Sequence, residues 1–302
     1  MKLAGAAALS TRFMTDRVMA PEAILDLAER AHADWLVLDA GLASDLYEPL
    51  QLLLARRRDQ LPLLAMESPC PRSVREGARE PQLCAPDRDE ARAALEAALA
   101  TVQRAGEARA RFVVVALGEV RPAARDWQFA RDRFLRADLD DELAQRLVAA
   151  RDAVTERTLD GARRALETLA RAAERAGVTL ALRNGRRYVD VPSPRELDRL
   201  RADLAGAPLA PMLDVAAAHL TDVMGFHPLA LTLAAWEKAP LVYFGDACGP
   251  IGALAPGRGI VDLKRVREAI DDHAAIAFNP WPGLEPDEVV AALPLVKKAL
   301  KP

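Results

Sequence analysis

Polar residues close a series of short apolar runs, and their types are those of proton transfer. In chain order the run ends carry Ser10 and Arg12, Asp39, Glu67, Glu119 with Arg121, and Arg183 with Asn184. The later ends carry Asp214, then Tyr243 and Asp246, then Asn279 followed by Trp281. Glu67, Asp214 and Asp246 can serve as acid or base. Arg183 keeps its charge and can hold a developing oxyanion. An enolising isomerase needs these two functions: a base within hydrogen-bond reach of the proton it takes, and an electrophile for the oxyanion. Arg12, Asn184, His219, Tyr243, Arg258, Asn279 and Trp281 complete the candidate set as ligand contacts. The same polar types also occur wherever a strand emerges into water. Asp214 and Asp246 read equally as carboxylates paired with arginine that do no chemistry.

The elements that must position these residues follow from hydrophobic periodicity. Eight apolar stretches read as buried strands: Lys2–Ser10, Trp35–Ala40, Leu61–Ser68, Arg111–Gly118, Val178–Asn184, Ala210–Val215, Leu241–Ala247 and Ala274–Pro280. Most are nearly continuous, as strands covered on both faces are. Helical patterns lie between them, at Pro21–Ala31, Leu46–Arg58, Asp87–Ala105, Asp138–Ala176 (long or broken), Pro194–Leu204, Pro228–Glu237, Leu263–Asp272 and Pro286–Leu300. Asp87, Ser193 and Asp262 are expected caps, and Gly177 an expected stop. The longest irregular loop is expected at Glu119–Ala137. Eight alternations without a break in composition predict one α/β domain over 1–302, a closed parallel (β/α)₈ TIM barrel. An open doubly wound sheet is the alternative, but the first strand is not followed by its G-x-G-x-x-G turn.

Composition narrows the classes. The chain has 302 residues, 51% hydrophobic and 28% charged, which excludes a disordered or collagen-like protein. A net charge of −3 argues against a nucleic-acid partner. No apolar run approaches the ~18–20 residues of a membrane helix, so no membrane partner is expected. MKLAGAAALS reads as a first strand rather than a signal peptide. Cys70, Cys84 and Cys248 have no C-x-x-C spacing, and a reducing, cytoplasmic compartment is expected. Cys248 reads as a buried thiol. His32 and His273 precede strands and belong to the opposite, stability face; His219 and His227 follow strand six, where His219 could reach the mouth and His227 opens a helix. The loop Gly249–Gly259 offers backbone N–H groups, and Arg258 a bidentate contact, to a phosphate or carboxylate. Trp127, Phe129 and Trp281 could wall a sugar ring, or simply anchor loops.

The phrases ALETLARAAERAGVTLALRN, PMLDVAAAHL, LVYFGDA and PGRGIVDL resemble the xylose-isomerase-like TIM barrels, which include sugar phosphate isomerases and epimerases and abasic-site endonucleases. The resemblance is clearest over about Leu159–Leu263. It implies a divalent metal held by carboxylates and histidines on strand ends. This chain departs from that pattern. The strand-five glutamate falls on Arg183 and the strand-six aspartate on Asp214. The histidine three residues later falls on Ala217, the strand-four histidine near Ala116, the strand-seven histidine on Tyr243, and the strand-eight glutamate on Asn279. Glu67 stands near the strand-three histidine, and Gly257-Arg258-Gly259 keeps the G-x-G loop.

Taken with the residues, the resemblance implies a metal-independent isomerase or epimerase binding a small sugar-like or carboxylate ligand, with no cofactor and with Arg183 paired to Asp214 or Glu67. Two alternatives stay open: a catalytically silent barrel that binds a ligand or partner, and a metalloenzyme with a rebuilt ligand set around Glu67, Asp214 and His219. An endonuclease is excluded by the missing histidine cluster and the absence of a basic balance. The oligomeric state is not legible.

Overall fold

The computed structural model of the chain describes residues 6–14, 19–74, 79–121, 127–249 and 251–300. Its strands are β1 (Ala7–Ser10), β2 (Trp35–Leu38), β3 (Leu63–Ser68), β4 (Phe112–Val115), β5 (Gly118–Glu119), β6 (Thr179–Arg183), β7 (Asp190–Val191), β8 (Leu209–Asp214), β9 (Leu241–Tyr243), β10 (Asp246–Cys248), β11 (Ile251–Leu254) and β12 (Ala275–Phe278). Its helices are α1 (Pro21–Arg30), α2 (Ser44–Arg56), α3 (Arg88–Glu107), α4 (Trp127–Leu135), α5 (Asp141–Asp152), α6 (Glu156–Ala176), α7 (Pro194–Asp203), α8 (Val215–Val223), α9 (Leu229–Ala235), α10 (Leu263–Ala269) and α11 (Pro286–Ala299).

Strands β1, β2, β3, β4, β6, β8, β9 and β12 close a parallel barrel in chain order, with β12 returning to β1. Each of the eight expected strands is present, and each begins or ends within a few residues of its expected limits. The remaining strands form two short antiparallel pairs, β5 with β7 and β10 with β11.

Two packed layers account for the continuous apolar strand pattern. One alternate set of strand residues fills the barrel lumen with Ala8, Val37, Ala65, Phe112, Val114, Ala181, Met212, Tyr243 and Ala277. The other faces the helices, where Leu9, Leu36, Met66, Val113, Leu180 and Leu213 meet Leu25, Leu27, Leu166 and Leu169. Small residues at several lumen positions let eight strands converge.

Helix ends follow their chemistry. Asp87 accepts the N–H groups of Asp89 and Glu90 at the start of α3. Ser193 and Glu196 form a capping box on α7, and Asp262 accepts Arg265 N–H at 3.0 Å. Gly177 ends α6 in the left-handed region at φ 68°.

Three expectations need correction. Glu119–Ala137 is not an irregular loop throughout: it contains β5 residue Glu119 and helix α4, while residues 122–126 and the Trp127 side chain lie outside the described set. Asp138–Ala176, expected as long or broken, is the broken form, α5 followed by α6. No helix is expected directly after strand six, yet α8 starts there; its first seven residues are all buried, so it has no amphipathic period to read. Leu241–Ala247 is not one strand: β9 stops at Tyr243, and Asp246 opens the β10–β11 hairpin, whose Cys248 is exposed rather than buried.

Candidate functional site at the barrel mouth

Strand side chains repeat every two residues, so the lumen set fixes what faces inward one step further along each strand. Counting on from Ala8, Val37, Ala65, Val114, Ala181, Met212 and Ala277 gives Ser10, Asp39, Glu67, Ala116, Arg183, Asp214 and Asn279. Apart from Ala116, these residues, with Tyr243, form the polar ring at the C-terminal end of the barrel, the end at which barrels of this kind carry function.

Glu67 is the centre of the ring's chemistry. It is 5% exposed. The Tyr243 hydroxyl donates to its Oε1 at 2.6 Å, and Arg183 Nη1 lies 3.3 Å from its Oε2. The anticipated partner of Arg183 is therefore Glu67. Burial pushes the Glu67 carboxyl above its ordinary range; Arg183, the Tyr243 hydrogen bond and Arg12 oppose that shift, while the charge of Asp39 adds to it. Burial works against the charge of Arg183, but Glu67 and Asp214 outweigh it and hold the guanidinium firmly protonated. A cavity of about 630 Å³ opens over β3, β4 and β6, and Glu67 and Arg183 both line it. That is ample room for a small polyhydroxy molecule.

Other expected site residues serve the backbone instead. The Asn184 amide bridges two strand ends, donating to Asp214 O at 3.1 Å and accepting Asp214 N–H at 2.6 Å. Asp214 Oδ1 accepts the N–H of Ala217 at 3.0 Å and so caps α8. Asp246 accepts four backbone N–H groups, from Ala247, Gly257, Gly259 and Val261, at 2.9–3.0 Å. It organises the strand-seven loop rather than facing the cavity. A side chain at Gly259 has no space: a Cβ there lies 2.2 Å from Ala247 O and 2.4 Å from Asp246 Oδ1. Gly259→Ala should therefore destabilise the protein by about 1–3 kcal/mol, read from urea denaturation. An unchanged midpoint would mean that the loop is not held as described.

The rest of the candidate set is spread around the mouth. Arg12 sits in the short 3₁₀ turn after β1. Tyr243 contacts Glu67, as above. Asn279 is 4% exposed, and neither atom of its amide has a partner among the described residues; the same holds for Nε2 of the buried His219 on α8. Arg258 is exposed in the turn after β11. Trp281 is 44% exposed, donates its backbone N–H to Ala253 O at 3.0 Å and packs its ring over Gly283. It braces the rim loops. Asp214, Asp246, Arg258, Asn279 and Trp281 do not line the cavity.

Sequence reasoning missed the loop after β6, which adds two arginines and a carboxylate to the cavity. Arg186 and Arg187 follow β6 and line the cavity together with Arg79 and Arg131. Asp190 shapes this loop: its Oδ2 accepts the N–H groups of Arg186 and Arg187, and its Oδ1 accepts Arg187 Nε at 2.8 Å. Three arginines within RNGRR were the readable signal.

Among the described residues, no group of three or more His, Cys, Asp or Glu side chains could hold a metal ion. No described helix is long and apolar enough to cross a membrane.

No family profile and no curated protein matches the chain. Its fold matches solved structures over nearly its whole length. One is a candidate xylose isomerase from Rhodospirillum rubrum (TM-score 0.70, 16% identity, 98% of each chain). Another is an L-ribulose 3-epimerase (TM-score 0.69, 14% identity, 97% of this chain and 94% of that one). A third is the D-psicose 3-epimerase of Clostridium cellulolyticum, solved with D-tagatose (TM-score 0.65, 13% identity, 100% of each chain). The architecture is thus a closed (β/α)₈ TIM barrel, and at these identities the likeness to these structures is one of fold.

Proposed function

We propose that this barrel binds a small sugar-like or carboxylate ligand in the mouth cavity and catalyses proton transfer on it without a divalent metal, as an isomerase. The observation that carries this reading is Glu67: a buried carboxylate of raised proton affinity, oriented by Tyr243, paired with a guanidinium and lining a cavity of ligand size. Ionised Glu67 takes a proton from the carbon beside the ligand's carbonyl. The electron pair moves onto the carbonyl oxygen, and Arg183 stabilises the resulting enediolate in place of water. Glu67 then returns the proton to the neighbouring carbon, and a hydroxyl proton moves between the two oxygens. One base on one face suffices for this isomerisation; epimerisation needs a second donor across the plane. Asp246, filled by backbone donors, is left out of the chemistry, and Asp214 acts as a cap and as a counter-charge to Arg183.

The resemblance implies a divalent metal at this mouth, and the side chains here do not fit one. Glu67 already accepts from Tyr243 and pairs with Arg183, and Asp214 Oδ1 is spent on the α8 cap. A dication beside Arg183 meets a fixed positive charge, a repulsion of about 8 kcal/mol at ~4 Å and an effective dielectric near 20. Arg183→Glu should therefore bind Mn²⁺ at least about tenfold more tightly than the parent chain, measured by titration with paramagnetic detection. No gain would remove the electrostatic argument.

A second reading, a barrel that binds without turnover, draws support from Asn184, Asp214 and Asp246, whose polar atoms hold backbone rather than ligand. Incubating the protein with aldoses, ketoses and sugar acids in D₂O separates the two. Deuterium entering the carbon beside the carbonyl supports the isomerase; a ligand that binds and returns without deuterium supports the silent barrel.

A further inference from the structure

We propose that Arg186 is the anchor of an oxyanion subsite at the cavity, so that the ligand is an anionic sugar derivative, a sugar acid or a sugar phosphate. This rests on the mouth being the ligand site and goes on to name the ligand's charge.

The loop from Gly185 to Asp190 is fixed by its own hydrogen bonds, and Arg186 is bound into it only through its backbone N–H, which donates to Asp190 Oδ2 at 3.0 Å. Its guanidinium has no ion pair and no side-chain hydrogen bond among the described residues, although the side chain lines the cavity beside Glu67 and Arg183. Of the other cavity arginines, Arg187 pairs with Glu119 and Asp190, Arg79 with Glu119, and Arg183 with Glu67, while Arg131 is exposed on α4. The guanidinium of Arg186 crosses from the β6 loop toward the strand-seven hairpin, where its Nη2 lies 3.8 Å from the point a Cβ on Gly252 would occupy. There it stands within electrostatic reach of Arg12 and Arg183, and of Asp214.

Burial lowers the proton affinity of Arg186, and the positive charges of Arg12 and Arg183 lower it further. The fold thus holds a desolvated guanidinium next to like charges and gives it no ion pair and no side-chain hydrogen bond among the described residues. Asp214 and Asp190 offset part of that repulsion through space, without a hydrogen bond or ion pair to the guanidinium. A carboxylate or phosphate with its bidentate geometry supplies the missing charge and the missing acceptors. The same cavity then seats the carbon chain against Glu67 and Arg183, so one molecule spans both groups.

The test uses calorimetric titration with four probes: inorganic phosphate, D-gluconate, D-fructose 6-phosphate and neutral D-fructose. The parent chain should bind an oxyanion probe at least tenfold more tightly than D-fructose. Arg186→Gln should lose roughly ten- to hundredfold for that probe and leave D-fructose within about threefold. Arg92→Gln, an equal charge loss on the exposed face of α3, should leave all four unchanged. Gluconate against fructose 6-phosphate distinguishes a carboxylate from a phosphate subsite. If the sugars bind but their charge and Arg186→Gln make no difference, the subsite is wrong and the mouth reading survives. If phosphate binds equally to the parent and Arg186→Gln, the subsite is also wrong. If no probe binds the parent chain, the subsite falls, and deuterium exchange separately decides the isomerase reading.

Discussion

Replacing Glu67 by Gln should slow carbon-bound proton exchange on any sugar or sugar acid the protein turns over by about 10²–10⁴-fold, the range of a lost general base. Gln has nearly the same shape and still offers an oxygen to the Tyr243 hydroxyl, now 2.6 Å from Oε1, so the ligand should bind within about threefold of the parent. The pH profile gives a sharper readout. Burial raises the Glu67 proton affinity above its ordinary 4.5, so the active, ionised form accumulates only as pH climbs through that higher value. The rate should rise along that limb, and the limb should be absent in the variant. Stability moves in the opposite sense. A carboxyl whose folded proton affinity is raised contributes stability fully below its unfolded value and loses it as pH rises through the folded value. Glu67→Gln has no such loss, so melting at neutral pH should not fall with activity. Deuterium exchange by NMR across pH, alongside thermal melts, checks both. Undiminished exchange in the variant would end the assignment of Glu67 as the base.

The second large effect lies away from the mouth and controls it. Arg151 is 1% exposed and makes a two-pronged pair with Glu196: Nη1 to Oε1, and Nη2 to Oε2 at 2.7 Å. Its Nη2 also donates to Asp190 O at 3.0 Å, and Asp190 shapes the loop that presents Arg186 and Arg187. Glu196 accepts further from Thr155 Oγ1 at 2.7 Å and from Ser193 N–H at 2.8 Å. Arg151→Met strands a buried carboxylate and should cost about 3–5 kcal/mol in urea unfolding, whereas Arg151→Met with Glu196→Leu should recover much of that loss. Burial pushes the Glu196 carboxyl up, but the hydrogen bonds and charge of Arg151 outweigh it and hold the carboxyl below its ordinary 4.5. This stability is therefore present above about pH 4.5 and is lost as pH falls through the depressed folded value. Urea midpoints between pH 3 and 7, roughly spanning that window, should show an acid-labile component in the parent that the double variant lacks. A parent and double variant with parallel pH curves would show that the pair does not hold the α5–α7 junction together.

Local chemistry made much of the architecture legible. Continuous apolar runs marked all eight barrel strands, and Asp87, Ser193, Asp262 and Gly177 marked helix ends, because a cap or a left-handed stop acts within one turn of chain. The ends of the apolar runs put Glu67, Arg183 and Asp214 at the mouth, and the period of two put them on the inner face only once the structure showed which strand residues fill the lumen. Segments whose signal is tertiary were missed. Helix α8 is buried too completely to show an amphipathic stripe. The β10–β11 hairpin divides an apolar run that looks like a single strand.

Residue type and spacing determined that this chain closes as a parallel barrel with carboxylates and arginines at its mouth, because strand alternation needs only the identity of each residue and its neighbours. The tertiary structure alone decided how those groups are used. It spent Asn184, Asp214 and Asp246 on backbone N–H and C=O groups, joined Glu67 to Tyr243 and Arg183 across 176 and 116 residues of chain, and gave the Arg186 guanidinium no partner side chain among the described residues. Such pairings depend on which strand ends meet in space, and separation along the chain does not encode them.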